Sequence, residues 1–260
     1  MSRSKTKSKS KRNQSYLIGI NSISATLQRD PSRILQIFLR SDGPNNERLN
    51  ALEQQANTFG IAVSHQNKDF FENHFSGNHQ GVAAEVKTAK QLGDKDFKQW
   101  LTTLPECPLL LILDQIQDPH NLGAILRTAD AVGVDAIIVN DKNAAPMNET
   151  VSKIASGAAE SVLLFRVGNL VRAIEQLKEQ GVWIAGTTDH AQQTIYEQNV
   201  DGPLALIMGS EGSGMRRLTE ENCDLLVKLP MDGLVSSLNV SVATGVCLYE
   251  IKRQRNLKCV

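Results

Sequence analysis

The chain has 260 residues, 41% of them apolar and 22% charged, with 28 basic residues balancing 28 acidic ones. Those values suit a globular protein of one large or two modest domains, and no apolar run approaches the roughly 20 residues that span a bilayer. The zero net charge hides an asymmetry: Arg3, Lys5, Lys7, Lys9, Lys11 and Arg12 stand in the first twelve residues without an acid, leaving 22 basic against 28 acidic residues elsewhere.

In chain order, residues 1–14 read as a disordered basic tail suited to touching polyanions. No apolar stretch follows its charges, so it does not read as a signal peptide. Residues 15–87 alternate helix and strand. A helix is predicted near Ser22–Gln28, a strand at Ile34–Leu39, a helix at Glu47–Phe59, and strands at Ile61–Val63 and Gly81–Val86. That is a small α/β domain. Residues 88–107 read as a linker with one short helix, carrying the apolar stripe Leu92, Phe97, Trp100, Leu101 and Leu104 ahead of Pro105 and Pro108.

The second domain, residues 108–256, repeats short apolar runs at Leu109–Leu113, Ala136–Val139, Val162–Val167, Val182–Gly186, Leu204–Met208 and Leu225–Leu229. Helical spacing marks Leu122–Val132, Asn148–Ala158 and Leu170–Gln180 between them. Near-continuous apolar strands alternating with helices predict a mainly parallel sheet covered on both faces. Cys107, Cys223, Cys247 and Cys259 form no CxxC pair and read as reduced cytosolic thiols. The histidines, His74 and His79 among them, show no metal-ligand spacing, and no metal is expected.

Ligands of open parallel sheets bind beyond the carboxyl ends of the strands, and three such junctions are polar or glycine-rich. The first, DQIQDPHNLGAILR (114–127), opens a helix that Asn121 would cap. The second, MGSEGSGMRR (208–217), lets backbone approach a ligand closely through its glycines. It lacks the ending of a nucleoside-triphosphate loop and the G-x-G-x-x-G of a dinucleotide fold. Glu211 also sits where a pyrophosphate would need neutral or positive surroundings. In the third, LPMDGLVSSLNVS (229–241), Ser236, Ser237, Asn239 and Ser241 crowd a helix start beyond what one cap needs. The residues alone give a ligand site built from three loops, for a ligand other than a polyphosphate.

Together these three motifs resemble the SpoU/TrmH branch of the SPOUT RNA methyltransferases. The likeness rests on DPHNLGAILRT (118–128), IMGSEG (207–212) and LPM through SSLNVS (229–241), and covers nearly all of Leu109–Arg255. YLIGINSI (16–23) and NHQGVA (78–83) resemble the L30e-like substrate-binding domain of some members, although Asn21 and Ser22 replace the usual His-Ala. The resemblance implies a C-terminal α/β domain tied in a deep trefoil knot and a smaller L30e-like α/β domain ahead of it. It implies S-adenosylmethionine as cofactor, with backbone contacts at Gly209, Leu229 and Leu238. Implied too are a cytoplasmic homodimer without metal or membrane, and 2′-O-methylation of a 23S ribosomal RNA ribose, at the peptidyl-transferase P-loop guanosine. Transfer RNA as substrate, or a non-catalytic RNA-binding role, are the alternatives.

Carried over by motif, Asn121, Arg127, Glu211, Ser237 and Asn239 are the candidate catalytic residues. Arg127 would assist deprotonation of the 2′-hydroxyl. A neutral arginine is scarce near pH 7, so it would act either as a desolvated base or by pinning a phosphate and polarising the hydroxyl. Glu211 would orient Arg127 or accept the proton, and Asn121, Ser237 and Asn239 would hold loop and ribose. His120 is a minor candidate. RNA would be gripped by the N-terminal domain, the tail, and Lys252, Arg253, Arg255 and Lys258.

Overall fold

A computed structural model describes residues 15–43, 46–87 and 89–258, with the side chain of Lys258 outside that set. The basic tail expected at 1–14 lies outside the described residues. Between Lys90 and Gln91 the chain divides into two compact units.

The smaller unit runs β1 (Ser15–Ile18), α1 (Ile20–Arg29), β2 (Ile34–Arg40), α2 (Glu47–Thr58), β3 (Ala62–Gln66), α3 (Lys68–His74) and β4 (Val82–Val86). Its sheet order is β1-β4-β2-β3, with β2 and β3 parallel and the other pairs antiparallel. Ile23, Leu27, Ile37, Leu52 and Val82 are buried in its core. Asn46 and Asn67 cap α2 and α3 by accepting from Arg48 N and Phe70 N. At the departure from the usual His, Asn21 Oδ1 accepts from Arg48 Nη2 at 2.7 Å.

The larger unit runs α4 (Asp94–Leu101), β5 (Leu109–Leu113), α5 (Pro119–Val132), β6 (Ala136–Asn140), α6 (Glu149–Ala155), α7 (Ala158–Ser161), β7 (Leu163–Val167), α8 (Leu170–Glu179), β8 (Trp183–Thr187), β9 (Gln193–Thr194), β10 (Leu204–Met208), α9 (Arg217–Glu221), β11 (Leu225–Lys228) and α10 (Val240–Lys258). All neighbours in the sheet, ordered β7-β6-β5-β10-β8-β11-β9, are parallel. The period of two shows in β5. Leu109, Leu111 and Leu113 pack on the face covered by α5 and α10, while Leu110 and Ile112 face α4 and α8. Each such burial contributes about 1.5–3 kcal/mol.

Within the stretch expected as linker, α4 packs into the larger unit. Phe97 and Leu101 are buried there, with the Phe97 and Phe165 rings 5.4 Å apart edge-on. The single helix expected at Asn148–Ala158 is instead broken, because Ser156 (φ 52°) and Gly157 (φ 101°) turn left-handed between α6 and α7. The helix α5 is capped by Asp118, whose carboxylate accepts from His120 N at 2.9 Å, not by Asn121 as expected. Pro119 at the first helical position fixes that start one turn earlier.

Arg255 corrects the expected RNA grip. Its Nη1 donates to Cys107 O (3.1 Å) and its Nη2 to Pro108 O (2.9 Å) and Gly202 O (2.6 Å). It therefore ties α10 to the entrances of β5 and β10, the pole opposite the three junctions. Arg253 is engaged by Glu250 through two bonds of 2.8 Å. Loss of these charged bonds in Arg255→Ala is expected to lower stability by about 2 kcal/mol, roughly 4–8 °C in melting temperature. RNA affinity should be unchanged, and a binding assay beside a thermal melt checks both.

Candidate active site

The loop leaving β10 closes on itself. Ser210 N donates to Gly214 O and Gly214 N to Ser210 O, both at 3.0 Å, while the Ser210 and Ser213 hydroxyls meet at 2.7 Å. Gly214 takes φ 65°, where a side chain is strained. Gly209 is held to glycine for a different reason. A Cβ there would lie 2.3 Å from the Gly214 carbonyl carbon and 2.4 Å from Met215 N. The loop is pinned to the neighbouring strand as well: Asp114 N donates to Met208 O, and the buried Asp114 carboxylate receives Arg216 N (2.9 Å) and Nε (2.8 Å).

One carboxylate oxygen gathers the three junctions. Glu211 Oε1 accepts from Asn121 Nδ2 (3.1 Å), Asn239 Nδ2 (2.6 Å) and Val240 N (3.1 Å). Asn239 Nδ2 also donates to Asn121 Oδ1 at 2.9 Å. The other end of Asn239 caps α10, its Oδ1 accepting from Ser241 N (3.0 Å) and Ser241 Oγ (2.6 Å). Among the expected catalytic residues the structure thus brings together Asn121, Glu211 and Asn239.

Arg127 stands apart from that clasp. It is exposed on α5, six residues past Asn121 and so about 9 Å along the axis. Among the described residues no hydrogen bond joins it to Glu211, whose Oε1 carries three other donors. The idea that Glu211 orients Arg127 directly therefore has no contact behind it in this chain.

Beside the clasp lies a cavity of about 400 Å³. Gly209, Leu229 and Leu238 line it, as do Glu211, Ser236 and Ser237. One wall was not anticipated: Thr187, Thr188, Asp189 and His190 at the end of β8 and just beyond it, with Glu220. The signal was present, since Gly186-Thr187-Thr188 closes an apolar strand at the same carboxyl edge. His190 bridges Thr188 Oγ1 (2.7 Å) and Glu220 Oε1 (2.8 Å). The hydrogen bond His190 donates to Glu220, then the charge of Glu220, and then Asp189 raise the His190 pKa above the ordinary histidine value. Any stability this pairing adds is present at low pH and lost as pH rises through the raised pKa. An NMR titration should place His190 above the usual imidazole range, and Glu220→Gln should return it there. Cys247 also lines the cavity, its thiol pushed up to about 12 by burial, so it is an inert wall.

A parallel sheet with loop-walled cavity and a polar clasp at its carboxyl edge is the arrangement of a ligand-binding α/β enzyme. The family model for the SpoU rRNA Methylase family matches residues 108–249, and that for RNA 2′-O ribose methyltransferase substrate binding matches 16–92. The chain belongs to the SpoU rRNA methylase family. It is 49% identical to the 23S rRNA (guanosine-2′-O-)-methyltransferase RlmB of Vibrio parahaemolyticus, over 92% of this chain and 97% of that one. Identity to the RlmB of Yersinia pestis is 46%, over 93% and 98%. Its fold matches the SpoU methyltransferase AviRb from Streptomyces viridochromogenes, solved in complex with AdoMet, at TM-score 0.75 and 22% identity, covering 94% and 91% of the two chains.

Proposed function

We propose that the protein transfers a methyl group from S-adenosylmethionine to a ribose 2′-hydroxyl of 23S ribosomal RNA, at a guanosine of the peptidyl-transferase P loop. The observation that carries this reading is the Glu211 clasp, which joins all three junctions at the edge of one cavity. The names of the relatives supply the substrate class.

The cavity's chemistry fits the cofactor. Its volume is in the range of small-molecule sites, and its charged lining is mainly acidic, with Asp189, Glu211 and Glu220 against Lys228. That suits a sulfonium and an ammonium, not a polyphosphate. Gly209, Leu229 and Leu238 would hold the cofactor through backbone, and its contribution is an electrophilic methyl group. The chain's own groups align the nucleophile and handle its proton. Asn121 and Asn239 fix the clasp, Ser237 offers a hydroxyl at the cavity wall, and Arg127 polarises or deprotonates the 2′-hydroxyl. Glu211 serves as the clasp: without it two amides and Val240 N lose their shared acceptor.

The larger unit carries the trefoil knot in this reading, in line with the SpoU methylase match over 108–249. The smaller unit is the L30e-like substrate-binding domain, in line with the match over 16–92. A homodimer is favoured by Val242, Val246 and Tyr249, exposed apolar residues at i, i+4 and i+7 on α10. Labelled methyl transfer from S-adenosylmethionine to total bacterial RNA, followed by mapping, tests the function. Label on a guanosine ribose of the large-subunit RNA is expected; label confined to transfer RNA, or none, would overturn it.

A further inference from the structure

Arg216 is an arginine fixed in place by a buried carboxylate. The Asp114 side chain is 0% exposed at the carboxyl end of β5, and Arg216 satisfies it from two directions, through backbone N and through Nε. The guanidinium is thus anchored by one edge. Its Nη1 and Nη2 donate no hydrogen bond among the described residues, and the side chain keeps 35% of its surface. Arg216 also directly follows Gly214 and Met215, which line the cavity beside the clasp. An arginine needed only to neutralise Asp114 could bury its whole fork, as Arg255 turns both its Nη atoms onto carbonyls.

We propose that Arg216 is a substrate-binding residue whose Nη1 and Nη2 take a phosphodiester of the RNA next to the methylated ribose. This rests on the function proposed above and adds a contact to it. The planar fork matches phosphate in a bidentate manner. Anchoring through Nε removes side-chain freedom before the RNA arrives, so less is lost on binding. Asp114 cancels much of the long-range charge, which makes the contact one of geometry more than of electrostatic steering. A lysine at this position could meet either Asp114 or the phosphate, not both.

Two variants test the assignment. Arg216→Lys keeps the charge and loses the fork. Asp114→Asn with Arg216→Gln removes both charges and leaves a neutral hydrogen-bonding pair, which avoids a buried carboxylate without a partner. With a 23S ribosomal RNA transcript as probe, each is expected to raise KM for RNA roughly tenfold, the scale of one charged hydrogen bond. The rise in KM should exceed any change in the cofactor Kd, read by calorimetry, or in kcat. Random phosphorothioate substitution of the transcript should interfere with wild-type binding at one or two phosphates and lose that interference in both variants.

A folded double variant with the wild-type KM and interference pattern overturns the proposal. So does a cofactor Kd that weakens in step with KM, since Arg216 would then act through the loop. If the wild-type protein itself neither binds nor methylates the transcript, the function proposed above fails along with it, a result separate from the other two.

Discussion

Replacing Gly209 by alanine is expected to destabilise the larger unit by about 3 kcal/mol or more, the range reached when a core position is overpacked, and to abolish cofactor binding. The atoms a Cβ would strike are backbone: the Gly214 carbonyl carbon at 2.3 Å and oxygen at 2.6 Å, and Met215 N at 2.4 Å. None can rotate away as the end of a side chain would. Relief requires opening the loop, which breaks the paired Ser210–Gly214 bonds and withdraws Glu211 from Asn121 and Asn239. Gly212→Ala is the control. It has nothing within 4 Å of its Cβ position, so its effect should fall within about 0.5 kcal/mol, as for other surface changes. Thermal melts and calorimetry with S-adenosylmethionine read both variants. A Gly209→Ala protein with wild-type affinity would remove this loop from the binding site.

Arg127→Ala should leave cofactor affinity intact and slow methyl transfer by at least ~100-fold, the scale of one positioned acid–base group. Its exposed place on α5, away from the clasp, is why binding should survive. Near wild-type transfer by this variant would sink the role. The pH–rate profile then separates its forms of action and tests Glu211. If Glu211→Gln retains the wild-type profile at reduced rate, Glu211 holds the loops and does not take the proton. If the low-pH limb, on which a carboxylate base would be lost to protonation, disappears, the carboxylate is the acceptor after all.

Much of the larger unit could be read from the sequence because its signals are strong and local. LLLIL at 109–113 and LALIM at 204–208 are apolar throughout, as strands covered on both faces must be, and each is a strand with the limits expected. Short elements gave no such signal. The strand β1 has four residues, α9 has five and β9 two, too few for periodicity to stand out. Neither spacing nor composition announces a residue such as Ser156 at φ 52°.

The site divides the same way. An excess of polar groups at 236–241 was visible as more than a cap, and Asn239 proves to cap α10 and to bond Glu211 with opposite ends of one amide. That Glu211 faces Asn121 and Asn239 instead of Arg127 depends on contacts between residues 90 and 28 positions apart, which motif order does not encode. Arg255 shows the converse difficulty. A basic residue near the end of a polar helix reads alike in sequence whether it meets solvent or carbonyl oxygens.

The clasp also imposes an order on the making of the molecule. Asn121, Glu211 and Asn239 come from segments separated by 90 and 118 positions, and the last of them begins the final helix. The parallel strands can all pair once residues 109–228 have emerged, but the oxygen that joins the loops has no complete set of donors until α10 is begun and docked. Long-range closure of this kind comes late and slowly. A nascent or C-terminally shortened chain would therefore hold a formed sheet and an open, inert catalytic edge. Competence is acquired only when the start of the final helix is in place.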